Sequence, residues 1–302
     1  MCIRDREYAK TIDNVLEKYL PKEIDRKYIE NAFGKPRYAY NILPLNKALA
    51  EPIWDFLSRG GKRFRPALFY LFVEALGGDV EKVRDFAAIL EFLHNGSIMV
   101  DDIEDNSEFR RGKPCTHKLY GVDVAINAGN FMYFVPFLSF FEHRDDFSKE
   151  TMLRAYEATL QEMIRIHAGQ ATDIAWHNGM ANANEINEQE YLQMCAYKTG
   201  VLLRLAARLA VIFTNGSKEM EEKLGMLAEA IGLGFQIQDD ILNIKPGEEW
   251  GKETGDDINE GKRTLLVIYT LKHARKEDRE RLIEILNMHT KDRKLIEEAI
   301  GI

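Results

Sequence analysis

The chain has 302 residues, 45% of them hydrophobic and 30% charged, with a formal net charge of -8. That length supports one large domain or two around a sizeable core, and the acidic balance excludes the basic footprint of a general nucleic-acid binder. Cys2, Cys115 and Cys195 show neither metal-ligand spacing nor a disulfide framework, which fits a reducing cytosol. No stretch approaches the ~20 apolar residues of a membrane span, and the opening MCIRDREYAK lacks the apolar segment of a signal peptide. A soluble, cytoplasmic protein is expected, and an apolar substrate would need an internal pocket.

Helical periodicity dominates, and no alternating strand stands out. Residues 5–20 read as a helix stopped by Pro21, and 44–58 as another ending near Arg59-Gly60-Gly61. After GGKRFRP, a helix is expected from about Pro66, a residue suited to a first turn, to Leu76, where Gly77-Gly78 closes it. Asp79 is placed to cap the long helix that follows and ends in acids. Residues 122–142 are strongly apolar, with Asn127, Asn130 and several aromatics. Further helices are expected over 149–176, 188–213 and 218–244, separated by HNGMANANEINEQE and TNGSKE. The glycine- and charge-rich KPGEEWGKETGDDINEGKR follows, and three shorter helical segments finish the chain. No solenoid repeat, low-complexity tract or long linker divides it. The expectation is an all-α fold, a single large bundle over 1–302 with a peripheral helical segment at 1–43. Its centre can hold a ligand.

The chemistry gathers around EFLHNGSIMVDDIEDNSEFRRG, residues 91–112. In one helix over 86–105, Phe86, Leu90, Leu93 and Ser97 share a face that Asp101 and Asp105 continue, with Asp102 on its shoulder. Carboxylates stacked at a helix C-terminus repel one another and oppose the helix dipole. Hard oxygen ligands in pairs suit magnesium; the bland alternative is a solvated acidic helix end. A second pair stands in FQIQDDILNI, where Asp239 and Asp240 each lie about one turn from Asn243. Gly232 and Gly234 on that helix permit close approach of a neighbouring backbone. Two such helices facing each other across a bundle could hold a multi-magnesium cluster.

Basic residues complete the pattern. Lys62, Arg63 and Arg65 lie in GGKRFR, Arg110-Arg111 follow the first acids, Lys198-Thr199 begins another helix, and Lys252 and Lys262 punctuate the glycine-rich stretch. Arginine forks match phosphate oxygens, and lysine acts as a compact charge. Acids and bases together suggest a polyanion bridged by metal on one side and gripped by Arg and Lys on the other; for any single lysine, a surface role stands beside this one.

From about Gly60 to Thr264 the chain resembles the trans-isoprenyl diphosphate synthases, or polyprenyl synthetases. GGKRFRP, DDIEDNSEFRRGKP, GQATD, KT, GFQIQDD and GKETGDDINEGKRT occur in the order of that family. DDIEDNSEFRRG and the Asn of DDILN are most similar to the eukaryotic-type geranylgeranyl diphosphate synthases. The resemblance implies condensation of isopentenyl diphosphate with an allylic prenyl diphosphate, three Mg2+ ions per active site and a homodimer. It further implies that Asp101, Asp105 and Asp239 ligate metal, with Asp102 and Asp240 as additional ligands or supports. By the same resemblance, Lys62, Arg65, His94 and Arg111 bind isopentenyl diphosphate, and Arg110, Lys198 and Lys252 hold the allylic diphosphate, with Lys262 nearby. Thr199 and Gln236 would lie near the developing allylic cation, with Gln170 and Asp173 in the same polar layer. Asn243 departs from the commoner acidic residue at its position.

Breaking the allylic C–O bond leaves an anionic diphosphate and a delocalised carbocation. Metal and the Lys/Arg shell stabilise the former, and neutral dipoles from Lys198, Thr199 and Gln236 the latter. Residues 245–263 read as a lid that excludes water. A terpene cyclase, a non-catalytic partner subunit and a prenyl-binding carrier are the rival readings. GGKRFR and Arg111 weigh against the first, and the two intact acidic clusters against the others. Product length is expected to follow from the small Gly96 and Ser97, about one turn or ~6 Å below Asp101. Leu93, Phe131, Tyr133 and Phe134 are the candidate floors, and geranylgeranyl diphosphate is the expected product, with farnesyl or longer-chain prenyl diphosphates as the alternatives.

Overall fold

The computed structural model describes residues 3–245 and 254–302. The described residues are all-α apart from one two-residue antiparallel pair, Phe109–Arg110 with Lys113–Pro114. The chain folds as two compact units, one of Met1–Ala158 with Leu205–Lys223, the other of Thr159–Arg204 with Leu224–Ile302.

In the first unit, α1 (Ile3–Tyr19) and α2 (Arg26–Phe33) are followed by α3 (Leu43–Leu45), which runs through a π-helical turn, Asn46–Ala50, into α4 (Glu51–Ser58). Next come α5 (Phe64–Ala75), α6 (Val80–Val83), a 3-10 turn at Arg84–Phe86 and α7 (Ala87–Glu104). Asp79 does act as an N-cap, accepting from the Glu81 amide, but the helix that it caps is the short α6. The 3-10 turn separates that helix from the acid-ended one, because Asp85 and Phe86 are drawn inward and buried. Likewise α5 starts before Pro66, since Arg63 adopts a left-handed backbone (φ 47°) that sends its side chain into the core.

After the β pair, α8 (Thr116–Tyr120) leads into α9 (Val122–Phe134), a 3-10 turn at Val135–Phe137, and α10 (Leu138–Glu142). By length and composition Val122–Glu142 could cross a membrane, contrary to the expectation from sequence, yet half of it is buried inside the protein. The 3-10 turn at Pro136 also breaks it. Two glycines explain how closely α7 and α9 pack: a Cβ on Gly96 would lie 2.8 Å from the Gly129 carbonyl oxygen, and one on Gly129 would meet Val100. Fully buried Phe86 anchors the aromatic core against Phe140 and Phe213, with ring centroids 5.3 and 4.2 Å away.

Helix α11 (Lys149–His177) begins in the first unit and ends in the second. The second unit then contains α12 (Glu188–Cys195), started by an Asn187–Glu190 capping box, and a π-helical turn at Ala196–Gly200 that opens into α13 (Val201–Phe213), whose residues from Leu205 onward belong to the first unit. Helix α14 (Lys218–Ile244) precedes α15 (Asp256–Asn259), α16 (Leu265–His273), α17 (Lys276–Met288) and α18 (Arg293–Gly301). Ile258, Leu271, Ile285 and Ile296 form the centre of one apolar cluster here, and Trp176, Tyr191, Cys195 and Ile268 another.

Candidate active site

In the first unit, Asp101 and Asp105 stand half-buried at the C-terminal end of α7, one helical turn apart. Asp102 between them points inward and is buried. Arg110 holds its Oδ1 through Nε at 2.7 Å and Nη2 at 2.6 Å. Burial pushes the Asp102 carboxyl above its ordinary value, and Arg110 counters this. Its second oxygen is buried. The hard carboxylate oxygens of Asp101 and Asp105 at this helix end are a donor set that fits magnesium.

Around His94 the chain gathers guanidinium groups. Arg65 Nη1 lies 3.0 Å from His94 Nε2. Burial, then Arg65 and Arg111, push His94 well below its ordinary value, so the neutral ring accepts from Arg65 at Nε2 and keeps its proton on Nδ1. Burial and the neighbouring arginine also lower Arg65. Arg111 has a left-handed backbone (φ 53°), donates to the Gly60 carbonyl at 2.7 Å, and lies over the Phe56 ring. Lys62 is exposed beside them. Arg63, grouped with these residues by sequence, serves the fold instead. It is buried, with Nε on Asp13 at 2.9 Å, Nη1 on Glu91 at 2.8 Å and Nη2 on the Leu57 carbonyl. Arg63, Arg65 and Arg111 all face the buried carboxylate of Glu91. The cluster therefore carries net positive charge.

The second unit assembles the polar residues. Lys198 and Thr199 do not begin a helix; they occupy the π-helical turn inside a continuous helical stretch. Glycines let backbones meet around that turn. A Cβ on Gly169 would lie 2.5 Å from the Lys198 amide nitrogen, and one on Gly232 would lie 2.7 Å from the Gly200 Cα. Gly234, by contrast, has nothing within 4 Å, so only Gly232 has the expected packing reason. The close approaches bring Lys198 Nζ to 2.6 Å from Asp173 Oδ2 and let Thr199 Oγ1 donate to Gln236 Oε1 at 2.7 Å. Gln236 Nε2 in turn donates to Asp240 Oδ1 at 2.9 Å, and the Tyr191 hydroxyl donates to Asp240 Oδ2. Burial raises the Asp240 carboxyl, opposed by those two hydrogen bonds. Gln170 is half-buried, as is Asp239, one turn beyond Gln236.

Asn243 is buried and turned to the backbone that follows: its Oδ1 accepts from the Asp257 amide at 3.2 Å and its carbonyl from Gly255 at 2.8 Å. Lys262 pairs with Glu260. Lys252, and the part of the expected lid over 246–253, lie outside the described residues. Sequence reasoning missed Glu91, Asn95 and Tyr191. Glu91 and Asn95 are detectable as a polar pair four residues apart inside an apolar helix, whereas Tyr191 carries no such signal.

A different trio of potential metal ligands, Asp85, Glu142 and His143, is filled by the protein's own cation. Lys18 Nζ pairs with Asp85 and, at 2.7 Å, with Glu142, and the Tyr19 hydroxyl lies within hydrogen-bond distance of both carboxylates, at 3.0 and 2.9 Å. His143 Nε2 lies 2.9 Å from Asp85 and its Nδ1 2.7 Å from Asp146.

A family model described as polyprenyl synthetase matches residues 46–302. A short chain isoprenyl diphosphate synthase of Methanothermobacter thermautotrophicus is 36% identical over 282 residues, 93% of this chain and 83% of the relative. A geranylgeranyl pyrophosphate synthase of Dictyostelium discoideum is 35% identical over 268 residues, 88% of this chain and 83% of the relative. Among solved structures, geranylgeranyl pyrophosphate synthetase from Pyrococcus horikoshii aligns with a TM-score of 0.82 at 29% identity, covering 99% of this chain and 83% of that one.

Proposed function

The chain belongs to the polyprenyl synthetase family and is a trans-isoprenyl diphosphate synthase, and from that premise we propose that it elongates an allylic diphosphate with isopentenyl diphosphate to geranylgeranyl diphosphate. The observation that carries the substrate assignment is the net-positive group of Arg65 and Arg111 around neutral His94, with Glu91 as the carboxylate that they share. Half-buried guanidiniums that repel one another are stabilised by a polyanion, and two forks at one place suit a diphosphate. A terpene cyclase acts on a single diphosphate and has no use for this second group.

We assign Lys62, Arg65, His94 and Arg111 to isopentenyl diphosphate. Lys198 and Arg110 are assigned to the allylic diphosphate, with Lys252 and Lys262 as further phosphate contacts. Asp101, Asp105 and Asp239 would hold magnesium, which supplies charge neutralisation to the departing diphosphate. Asp102 and Asp240 act as supports, each bound to a neighbour that it orients. Thr199 donates its only hydroxyl proton to Gln236, so its lone pairs are available to a developing cation while the group remains a poor nucleophile. Gln236 is held by Asp240, which keeps its amide from rotating. Lys198, paired with Asp173, is positioned as a point charge for the leaving diphosphate. We further infer a homodimer, supported by exposed Leu160 and Ile164 one turn apart on α11.

Incubation with magnesium, isopentenyl diphosphate and each allylic primer, followed by sizing of the products, tests this reading. Geranylgeranyl diphosphate is the expected main product. Release of cyclic hydrocarbon with isopentenyl diphosphate unconsumed would sink it.

A further inference from the structure

We propose that Asn95 is a positioning residue for isopentenyl diphosphate, acting through Arg111; the proposal rests on the two-diphosphate reading above. Asn95 is fully buried in the middle of α7. Its Nδ2 donates to the Glu91 carbonyl at 2.7 Å and to Glu91 Oε1 at 2.8 Å. With both donors directed to Glu91, the amide cannot flip, and its Oδ1 is left as a fixed acceptor. Arg111 Nη2 donates to that oxygen at 3.0 Å.

The opposite end of the guanidinium is fixed by Gly60, and its face by Phe56. Arg111 is thus held on three sides, all by neutral groups. Neutral holders set its direction without cancelling its charge, which remains for a phosphate. A carboxylate at position 95 would hold Arg111 more tightly and neutralise it. Glu91 supplies the negative charge that keeps the arginines together, and Asn95 transmits its position to Arg111. The relay continues outward through Arg63 to Asp13 on α1, so the N-terminal helix contributes to the placement of the phosphate-binding residues.

The test is Asn95→Ser in the full-length enzyme, with Asn95→Thr as the second variant. Either hydroxyl can bond the Glu91 carbonyl one turn back, as Ser and Thr do within helices, but neither reaches Arg111. KM for isopentenyl diphosphate, and its Kd by calorimetry without primer, should rise about tenfold, the size expected for losing a hydrogen bond to a charged group. KM for the allylic primer and kcat should stay within about twofold. In an Arg111→Gln background, Asn95→Ser should add no further loss. Unchanged affinity for isopentenyl diphosphate, equal loss for both substrates, or losses that multiply in the double variant would each overturn the proposal. Wild-type enzyme that fails to elongate any primer would instead overturn the functional reading on which it rests.

Discussion

Arg110 closes on Asp102 with two nitrogens, at 2.7 and 2.6 Å, so the second acid of the DDIED motif faces a guanidinium on one side. This separates two roles within one motif. Asp102→Ala should leave the largely buried Arg110 uncompensated and cost about 3 kcal/mol of stability as well as turnover. Asp101→Ala should cut turnover by orders of magnitude with little change in the urea midpoint, since lost leaving-group stabilisation acts in the transition state. Equal midpoints for the two variants would count against the division.

Asn243 predicts a second ranking. Its side chain caps the backbone at Asp257 rather than facing outward. Asn243→Ala should therefore cost far less turnover than Asp239→Ala, while losing about 1 kcal/mol of stability in denaturant titration. Steady-state rates that fall equally for the two variants would contradict it.

His143 and His94 are shifted in opposite directions and give opposite pH dependences. Burial lowers His143, but the hydrogen bonds that it donates to Asp85 and Asp146 outweigh it, and the folded value is raised above 6.5. Its stabilisation is complete below that unfolded value and lost as pH rises through the folded one. His94 is lowered by burial and by Arg65, so protonation of the unfolded chain removes stability as pH falls below 6.5. Unfolding titrations at about pH 6 and about pH 8, either side of the ordinary histidine range, should show His143→Asn losing most relative to wild type at the lower pH. His94→Asn should gain relative to wild type there. Parallel curves for either variant would show that the residue does not titrate as described.

Product length separates Ser97 from Gly96. The hydrogen that stands in place of a Gly96 side chain meets α9 at the Gly129 carbonyl, so Gly96→Ala should lower the melting temperature whatever it does to products. Ser97 is half-buried. Ser97→Phe should shorten the main product by at least one isoprene unit in a product-sizing assay, and an unchanged distribution would mean that the chain does not pass this face.

Most helices could be read from periodicity, because long apolar faces at Phe86, Leu90 and Leu93 leave few other ways to be buried. Start and stop signals were less certain where burial overrode them. Asp79 caps as its residue type suggests, yet the helix stops four residues later, where Asp85 turns in to meet Lys18. Residue type also could not divide the basic motif 60–65, where Arg63 serves the core and Arg65 meets His94. That partition depends on Asp13 and Glu91, 50 and 28 residues away. Similarly, DD at 101–102 and 239–240 reads as equivalent pairs, while in the fold one member of each turns inward, to Arg110 or to Tyr191 and Gln236.

The π-helical turn at Ala196–Gly200 fits one residue more than an α-helix would place between the same two ends. Each residue advances an α-helix by about 100°, so a version lacking the extra residue would rotate Lys198 and Thr199 away from Asp173 and Gln236 while leaving the rest of α12 and α13 undisturbed. Deleting one residue within 196–200 should thus give an uninterrupted helix: a protein expected to fold, and to have lost the pairings that place its lysine and threonine.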